Sequence, residues 1–261
     1  MSKFVDLITQ LVFDAAPQEI NTVSELLATV TDNKSNDVIL QVVGEYNVAK
    51  RLPIDLNGSY VFATEYNKQG SKFYDPFHKV LFSVDHLKRV GLDVESHEVD
   101  VTKEQKDIYE QLGDYISGSF PGSGTYTVLP ADNADELVII IVSTRYSPNN
   151  YWSGYWKSEY IYNSSSRSLK GDVHVSTHYY EDGNVQFNTS EVFDEEEVDE
   201  VVKTIHKLES AFEARLDKSF RELNEGEFAK LRRRLPVTRS KVSWGKAIGN
   251  YRLGKDASKG M

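Results

Sequence analysis

The chain has no cysteine, two methionines and seven prolines among its 261 residues. Without thiols there are no disulfides, no thiolate nucleophile and no zinc site built on sulfur. Long apolar runs are missing as well. The longest, Leu137 to Val142, is far too short to span a bilayer. The opening residues Met1-Ser2-Lys3-Phe4-Val5-Asp6 meet an acid before any apolar core develops, so they do not read as a secretion signal. The expected setting is cytoplasmic and reducing. The Asn-x-Ser/Thr triplets at Asn57, Asn163 and Asn188 then read as chance matches.

Motifs of catalysis are equally scarce. The stretch from Gly118 to Gly124 looks like a phosphate loop, but it lacks the Gly-Lys-Ser/Thr ending and a following helix pattern. It reads as a breaker-rich linker beginning at Ser117. Ser164-Ser165-Ser166 has no Gly-x-Ser-x-Gly elbow around it. His174 and His178 have metal-ligand spacing for a helix, but they fall in a strand pattern, which would hold them about 13 Å apart. His78 and His86 belong to no recognisable motif. No catalytic group, cofactor or metal site is expected, and a hydrolase would need a titratable cluster that the sequence does not show.

Aromatics and charge are abundant. There are 15 Tyr, 12 Phe and 3 Trp, which suits a packed sheet. The dense run from Asn150 to Tyr160 reads as sheet packing, because only Lys157 interleaves a positive charge. The formal net charge is −10, yet residues 229–261 carry ten Lys/Arg and the single acid Asp256. That segment is therefore +9, and the first 228 residues sum to −19. Within it Trp244, Ala247, Ile248 and Tyr251 repeat at helical spacing, behind a break at Pro236. A basic amphipathic chain end suits docking on another molecule better than filling its own core.

The rest of the chain divides by periodicity. Residues 1–58 read as an antiparallel bundle of three helices, with Phe4, Leu7, Ile8, Leu11 and Val12 in the first. Pro17 ends that first helix and Pro53 closes the third. Residues 59–124 read as a small β region plus a helix from Lys103 to Ile116. Five strand patterns with turn residues between them fill 125–193, which favours an antiparallel meander. Glu181-Asp182-Gly183-Asn184 is the strongest hairpin signal. Residues 194–236 read as a long helix leading into a basic patch, its apolar stripe running from Val198 to Leu223. Asp194 and Glu197 serve as an acidic capping pair at the helix dipole's positive end. Residues 237–261 read as a mobile amphipathic tail, and the whole as one cooperative unit. A helix of about 30 residues spans roughly 45 Å, whereas five strands make a sheet about 24 Å wide. The excess hints at a sheet continued by a second chain, unless the helix runs along the strands.

Two stretches carry a resemblance. One is Thr177-His178-Tyr179-Tyr180-Glu181-Asp182-Gly183-Asn184-Val185-Gln186. The other is Phe228-Ala229-Lys230-Leu231-Arg232-Arg233-Arg234-Leu235-Pro236-Val237-Thr238-Arg239-Ser240-Lys241. With Phe73-Tyr74-Asp75-Pro76, Phe82 to Leu87 and Trp152 to Glu159, the chain resembles the F-actin-capping protein alpha subunit family over nearly its whole length. The resemblance implies an α+β fold: an N-terminal antiparallel helical bundle, a small β region, and a five-stranded antiparallel sheet crossed by a long C-terminal helix. A basic amphipathic tail follows. It implies a sheet continued by a beta subunit in an obligate heterodimer. It also implies a non-enzymatic function, in which the heterodimer binds filament barbed ends and blocks subunit addition and loss. Actin contacts fall to Lys230, Arg232, Arg233, Arg234, Arg239, Lys241, Trp244, Ile248, Tyr251, Arg252, Leu253 and Lys255. The family's Lys after the Phe is Ala229 here, with Lys230 next to it. Phosphoinositides are an implied competitor for the basic surface, and cortical actin the implied location. The rival reading, a nucleic-acid-binding module using the arginine run, is opposed by the acidic chain and by the lack of any recognition-helix, ribonucleoprotein or zinc pattern.

Overall fold

The computed structural model describes residues 3–181 and 185–225. Its centre is a five-stranded antiparallel meander in chain order: β7 (Gly124–Pro130), β8 (Glu136–Ser147), β9 (Trp152–Asn163), β10 (Ser168–Tyr179) and β11 (Val185–Glu195). The run Leu137–Val142 explains what covers this sheet. Leu137, Ile139 and Ile141 join one core, while Val138, Ile140 and Val142 join another. A strand apolar at every position must be covered on both faces. β9 and β10 lie further out and alternate instead.

Three helices cover the second face: α1 (Lys3–Asp14), α2 (Ile20–Val30) and α3 (Asn36–Ala49). Ile8, Val12, Ile20, Ile39, Val42, Val43 and Tyr46 pack there against β8 and Tyr155. Tyr46 anchors the α1–α2 connection, donating to the Ala15 carbonyl at 2.8 Å. Pro53 does not close α3. The helix ends at Ala49, where Lys50 N–H and Leu52 N–H bond back to Tyr46 and Asn47 carbonyls. Arg51 lies between them in the left-handed region (φ 51°), a closure in the manner of a Schellman cap.

The small β region is larger than the two strands legible in the sequence. It is a mixed six-stranded sheet of β1 (Ile54–Leu56), β2 (Ser59–Val61), β3 (Lys68–Gln69), β4 (Lys72–Asp75), β5 (Val80–Asp85) and β6 (Val90–Ser96). The spatial order is β2-β1-β6-β5-β4-β3, with β1 and β6 parallel. Phe82, Ile54, Val61 and Phe73 form its core.

The first face carries α4 (Lys103–Ser119) and α5 (Val201–Glu225). Thr102 caps α4 by accepting from Gln105 N–H at 3.1 Å. The expected linker from Ser117 to Gly124 is shorter than read: Ser117 to Ser119 finish α4, Gly124 opens β7, and residues 120–123 make the turn between them. Ser117 Oγ bonds the Gly113 carbonyl four residues back, which lets Gly118 and Ser119 stay helical. The acidic capping pair is also corrected. Asp194 and Glu195 finish β11, and Asp194 pairs with Lys170 across the ladder at 3.0 Å. Glu197 turns the chain at φ 57°. The first bond of α5 runs from Thr204 N–H to the Glu200 carbonyl.

Contacts along α5 run with the strands. Val201 belongs with Leu169, Phe212 meets Trp156 at 5.7 Å, and Phe220 meets Phe187 at 4.6 Å. The width argument for a continued sheet therefore lapses. Within the sheet, Gly171 of β10 lets the Tyr160 ring of β9 lie over it, since a Cβ would lie 2.3 Å from the Glu159 carbonyl and 2.5 Å from that ring.

Arg51 ties the three regions together. It donates to Glu65 at 2.6 and 2.7 Å and to Glu159 on β9 at 2.8 and 2.9 Å. Burial pulls this guanidinium down, and hydrogen bonds to both carboxylates more than reverse that. Its hydrogen bonds hold Glu65 below the usual carboxylate range. Arg51→Ala would leave Glu159, only 15% exposed, with its two short guanidinium bonds replaced by nothing better than the 3.5 Å contact to Lys157. The expected loss is about 3–5 kcal/mol, read from the midpoint of urea unfolding.

Candidate functional site

The described residues hold no group of three or more His, Asp or Glu placed to share a metal. His174 and His178 both sit on β10. His178 contacts Glu19 at 3.0 Å, and His174 lies near Tyr155, where burial and then Lys50 and Lys157 lower its pKa. His78 pairs with Asp75 at 2.9 Å, and that hydrogen bond raises its pKa. His86 is pushed down by burial beside Asn47, which donates to its carbonyl at 2.7 Å. Ser164, Ser165 and Ser166 are held in a turn by Asp135 and Asn163. These are positioning contacts. Two exposed surfaces stand out among the described residues.

The first such surface is β11. The sheet order leaves β7 and β11 at the edges. β7 touches β2 and the 3-10 turn Glu65–Asn67, whereas β11 pairs only with β10 among the described residues. Alternate backbone N–H and C=O groups of an edge strand point away from its sheet, ready for another strand. Val192 is 78% exposed and Val185 55%. Val192 stands opposite Asp172 in the ladder, on the face that the N-terminal helices leave open at its outer strands. Lys170 and Asp194 share that face. On the other face Arg215 of α5 grips Glu191 at 2.5 and 2.6 Å, so α5 braces the edge from beneath.

The second surface is on α1, where Phe4, Leu7 and Leu11 are 44–53% exposed. Spacing of three and four residues puts them on one helical face, turned away from Ile8 and Val12. Neither surface resembles a cleft. Both are unpartnered apolar features of the kind that marks association sites.

The Thr177–Gln186 stretch lies where β10 passes to β11. Its Asp182, Gly183 and Asn184 fall outside the described residues. Around them the ends are tied to the bundle. Gln18 donates to the Gly154 carbonyl at 3.0 Å, Glu19 holds His178, and Tyr180 N–H bonds the Tyr151 carbonyl at 2.9 Å. The aromatic run 150–160 divides between both faces: Tyr155 packs with the bundle, and Trp156 and Tyr160 with α5. The twelve expected actin contacts, Lys230, Arg232, Arg233, Arg234, Arg239, Lys241, Trp244, Ile248, Tyr251, Arg252, Leu253 and Lys255, all lie outside the described residues. The described part of α5 delivers the chain to them through an ion-paired surface, with Arg221–Asp217 at 3.4 Å and Lys218–Glu222 at 3.8 Å.

Because Val185 and Val192 are exposed, Val185→Lys with Val192→Lys should change the chain's own stability by no more than about 0.5 kcal/mol each. The same pair should suppress self-association of the isolated chain, since lysine blunts strand addition at an edge. Sedimentation velocity over a concentration series reads both species.

Comparison with known proteins covers the whole chain. A family model described as F-actin capping protein alpha subunit matches residues 8–256. An F-actin-capping protein subunit alpha from Eremothecium gossypii is 58% identical over 260 residues, 100% of each chain. The protein of the same description from Saccharomyces cerevisiae is 46% identical over 264 residues, covering 99% of this chain and 98% of that one. A solved structure of a homodimeric actin capping protein alpha subunit from Plasmodium berghei superposes with a TM-score of 0.71. It is 18% identical and covers 91% of this chain and 99% of that one, a likeness of fold.

Proposed function

The chain belongs to the F-actin capping protein alpha subunit family, and from that membership we propose how its own residues divide the work of capping. Members of this family are not enzymes. They bind actin filament barbed ends, partnered by a beta subunit. The body described above supplies the frame, and residues 229–261 supply the grip. The carrying observation is the charge contrast, +9 on that segment against −19 on the residues before it.

Two stages follow from that contrast. Lys230, Arg232, Arg233, Arg234, Arg239 and Lys241 steer the complex to acidic actin surface, which speeds association and weakens with salt. Trp244, Ile248, Tyr251 and Leu253 then bury apolar area against actin, flanked by Arg252 and Lys255, and so slow departure. The beta subunit adds its sheet at β11, where an unpaired backbone edge and exposed valines are available. The same arginine run suits phosphoinositide headgroups, so such lipids compete with actin for it. The site of action is the cortical actin of the cytoplasm.

Charge reversal at Arg233 and Arg239 should lower the rate of association with barbed ends by roughly tenfold or more at low salt and flatten its salt dependence. Deleting 244–261 should mainly raise the dissociation rate while the body stays folded. Elongation from filament seeds, followed at several ionic strengths with the heterodimer, separates the two effects. Unchanged capping kinetics in both variants would remove the tail from the mechanism.

A further inference from the structure

Glu209 is 2% exposed in the middle of α5, on the face that rests on the sheet. A carboxyl so placed faces a large desolvation cost unless it is neutral or paired. Three hydroxyls meet it. Tyr115 of α4 donates to Oε2 at 2.6 Å, Tyr160 of β9 donates to Oε1 at 3.2 Å, and Ser158 of β9 is hydrogen-bonded to it as well. Ser158 is itself oriented by Trp156, whose indole N–H donates to it at 2.7 Å. One side chain of α5 thus reaches both the helix beside it and the strand beneath it.

Arg145 of β8 lines the same cavity as Glu209 and Glu213, but among the described residues no ion pair joins it to Glu209. On α5, Glu213 lies one turn away and His206 sits tilted against the Tyr115 ring, with centroids 4.9 Å apart. From α4, Tyr115 faces it with Ser119 bonded to that tyrosine, and from β9, Tyr160 and Ser158 face it. From β10 and β11 the same core presents Val173, Val175, Phe187 and Phe193. Arg215, the nearest arginine along α5, is occupied by Glu191 at the edge. Among the described residues none of the ion pairs includes Glu209.

We propose that Glu209 is a proton-operated latch for α5: protonated, it seats the helix on α4 and β9, and ionised, it loosens that seat and with it the hold on a filament end. The first half rests on the enclosure of the carboxyl between α4 and β9, and the second on the capping reading above. Burial lifts the Glu209 carboxyl to about 7, against the pull of bonds from Ser158, Tyr115 and Tyr160. Glu213 is also raised, by burial and then by Asp217, so α5 carries a second, less enclosed carboxyl one turn along.

The sign follows from linkage. The folded carboxyl binds its proton more tightly than the unfolded one, whose ordinary value is 4.5. The stabilisation is complete below pH 4.5, declines as pH rises to about 7, and is absent above it.

The test uses the chain assembled with its beta subunit. Infrared difference spectra between about pH 6 and pH 8 should show a protonated carboxyl band that Glu209→Gln removes and Glu213→Gln leaves in place. The thermal midpoint of the wild type should fall by several degrees over that range, and that of Glu209→Gln should not. Tyr115→Phe removes a bond that favours the ionised form, so it should move the infrared titration to higher pH. This variant carries the test if Glu209→Gln fails to assemble. Release from barbed ends should quicken with pH in the wild type and respond less in Glu209→Gln. An identical pH response of stability and release in wild type and Glu209→Gln, or a titration that Tyr115→Phe does not move, overturns the latch. Failure of the capping reading is distinct, since the wild type would then not arrest elongation at any pH.

Discussion

A buried guanidinium holds this fold in one arrangement. Arg51 takes carboxylates from two other regions, Glu65 before the small sheet and Glu159 on β9, and does so from a left-handed backbone position. A non-glycine residue persists there only where its surroundings over-determine it. Here helix closure on one side and four charge-assisted bonds on the other do so. Ion pairs with this degree of enclosure add little net stability, because desolvation consumes most of the attraction. Their contribution is directional. Apolar contacts tolerate sliding of the bundle over the sheet, and a forked donor between two fixed acids does not. Tyr155 reinforces the same corner by donating to the Lys50 carbonyl.

With that corner fixed, the remaining architecture is a matter of which surfaces are used up. The bundle takes the second face of β8 and part of β9. α4 and α5 take the first face. The small sheet closes over the β7 side. Among the described residues, β11, the open outer strip beside it and the stripe on α1 stay uncovered. A protein with its interior so fully committed works through its outer surfaces, which agrees with a family that caps filaments and catalyses nothing. Among the described residues Glu209 is a buried acid at the centre of a helix–sheet contact.

Sequence periodicity reveals much of this because much of it is periodic. The three N-terminal helices, α4, the five long strands and α5 each repeat their apolar residues at the spacing their backbone demands. The small sheet was only partly legible. β3 has two residues and β1 and β2 three each, too short for alternation to emerge. The start of α5 was misplaced because an acidic run signals a helix N-terminus equally well whether it belongs to the helix or to the strand before it. Lys170 decided the matter by pairing with Asp194 from 24 positions earlier in the chain. Arg51, Glu159 and Glu209 carried no signal. A charged residue looks the same in a sequence whether it will be solvated or enclosed. The β11 edge was hidden too, since strand order, not strand pattern, decides which strand lies outermost. The basic tail shows the opposite case, with its chemistry plain in the sequence and its positions outside the described structure.

The separation of Arg51 from Glu159 also sets a schedule. The two lie 108 positions apart, and a ribosome adds roughly 5–20 residues each second. The N-terminal helices therefore emerge several seconds before the carboxylate that fixes their orientation exists. Within that interval Glu65, 14 positions after Arg51, is the one of its two carboxylate partners already made. Assembly of the subunit is in this sense gated by translation, and the order in which its parts become rigid is written into the distance along the message between two codons.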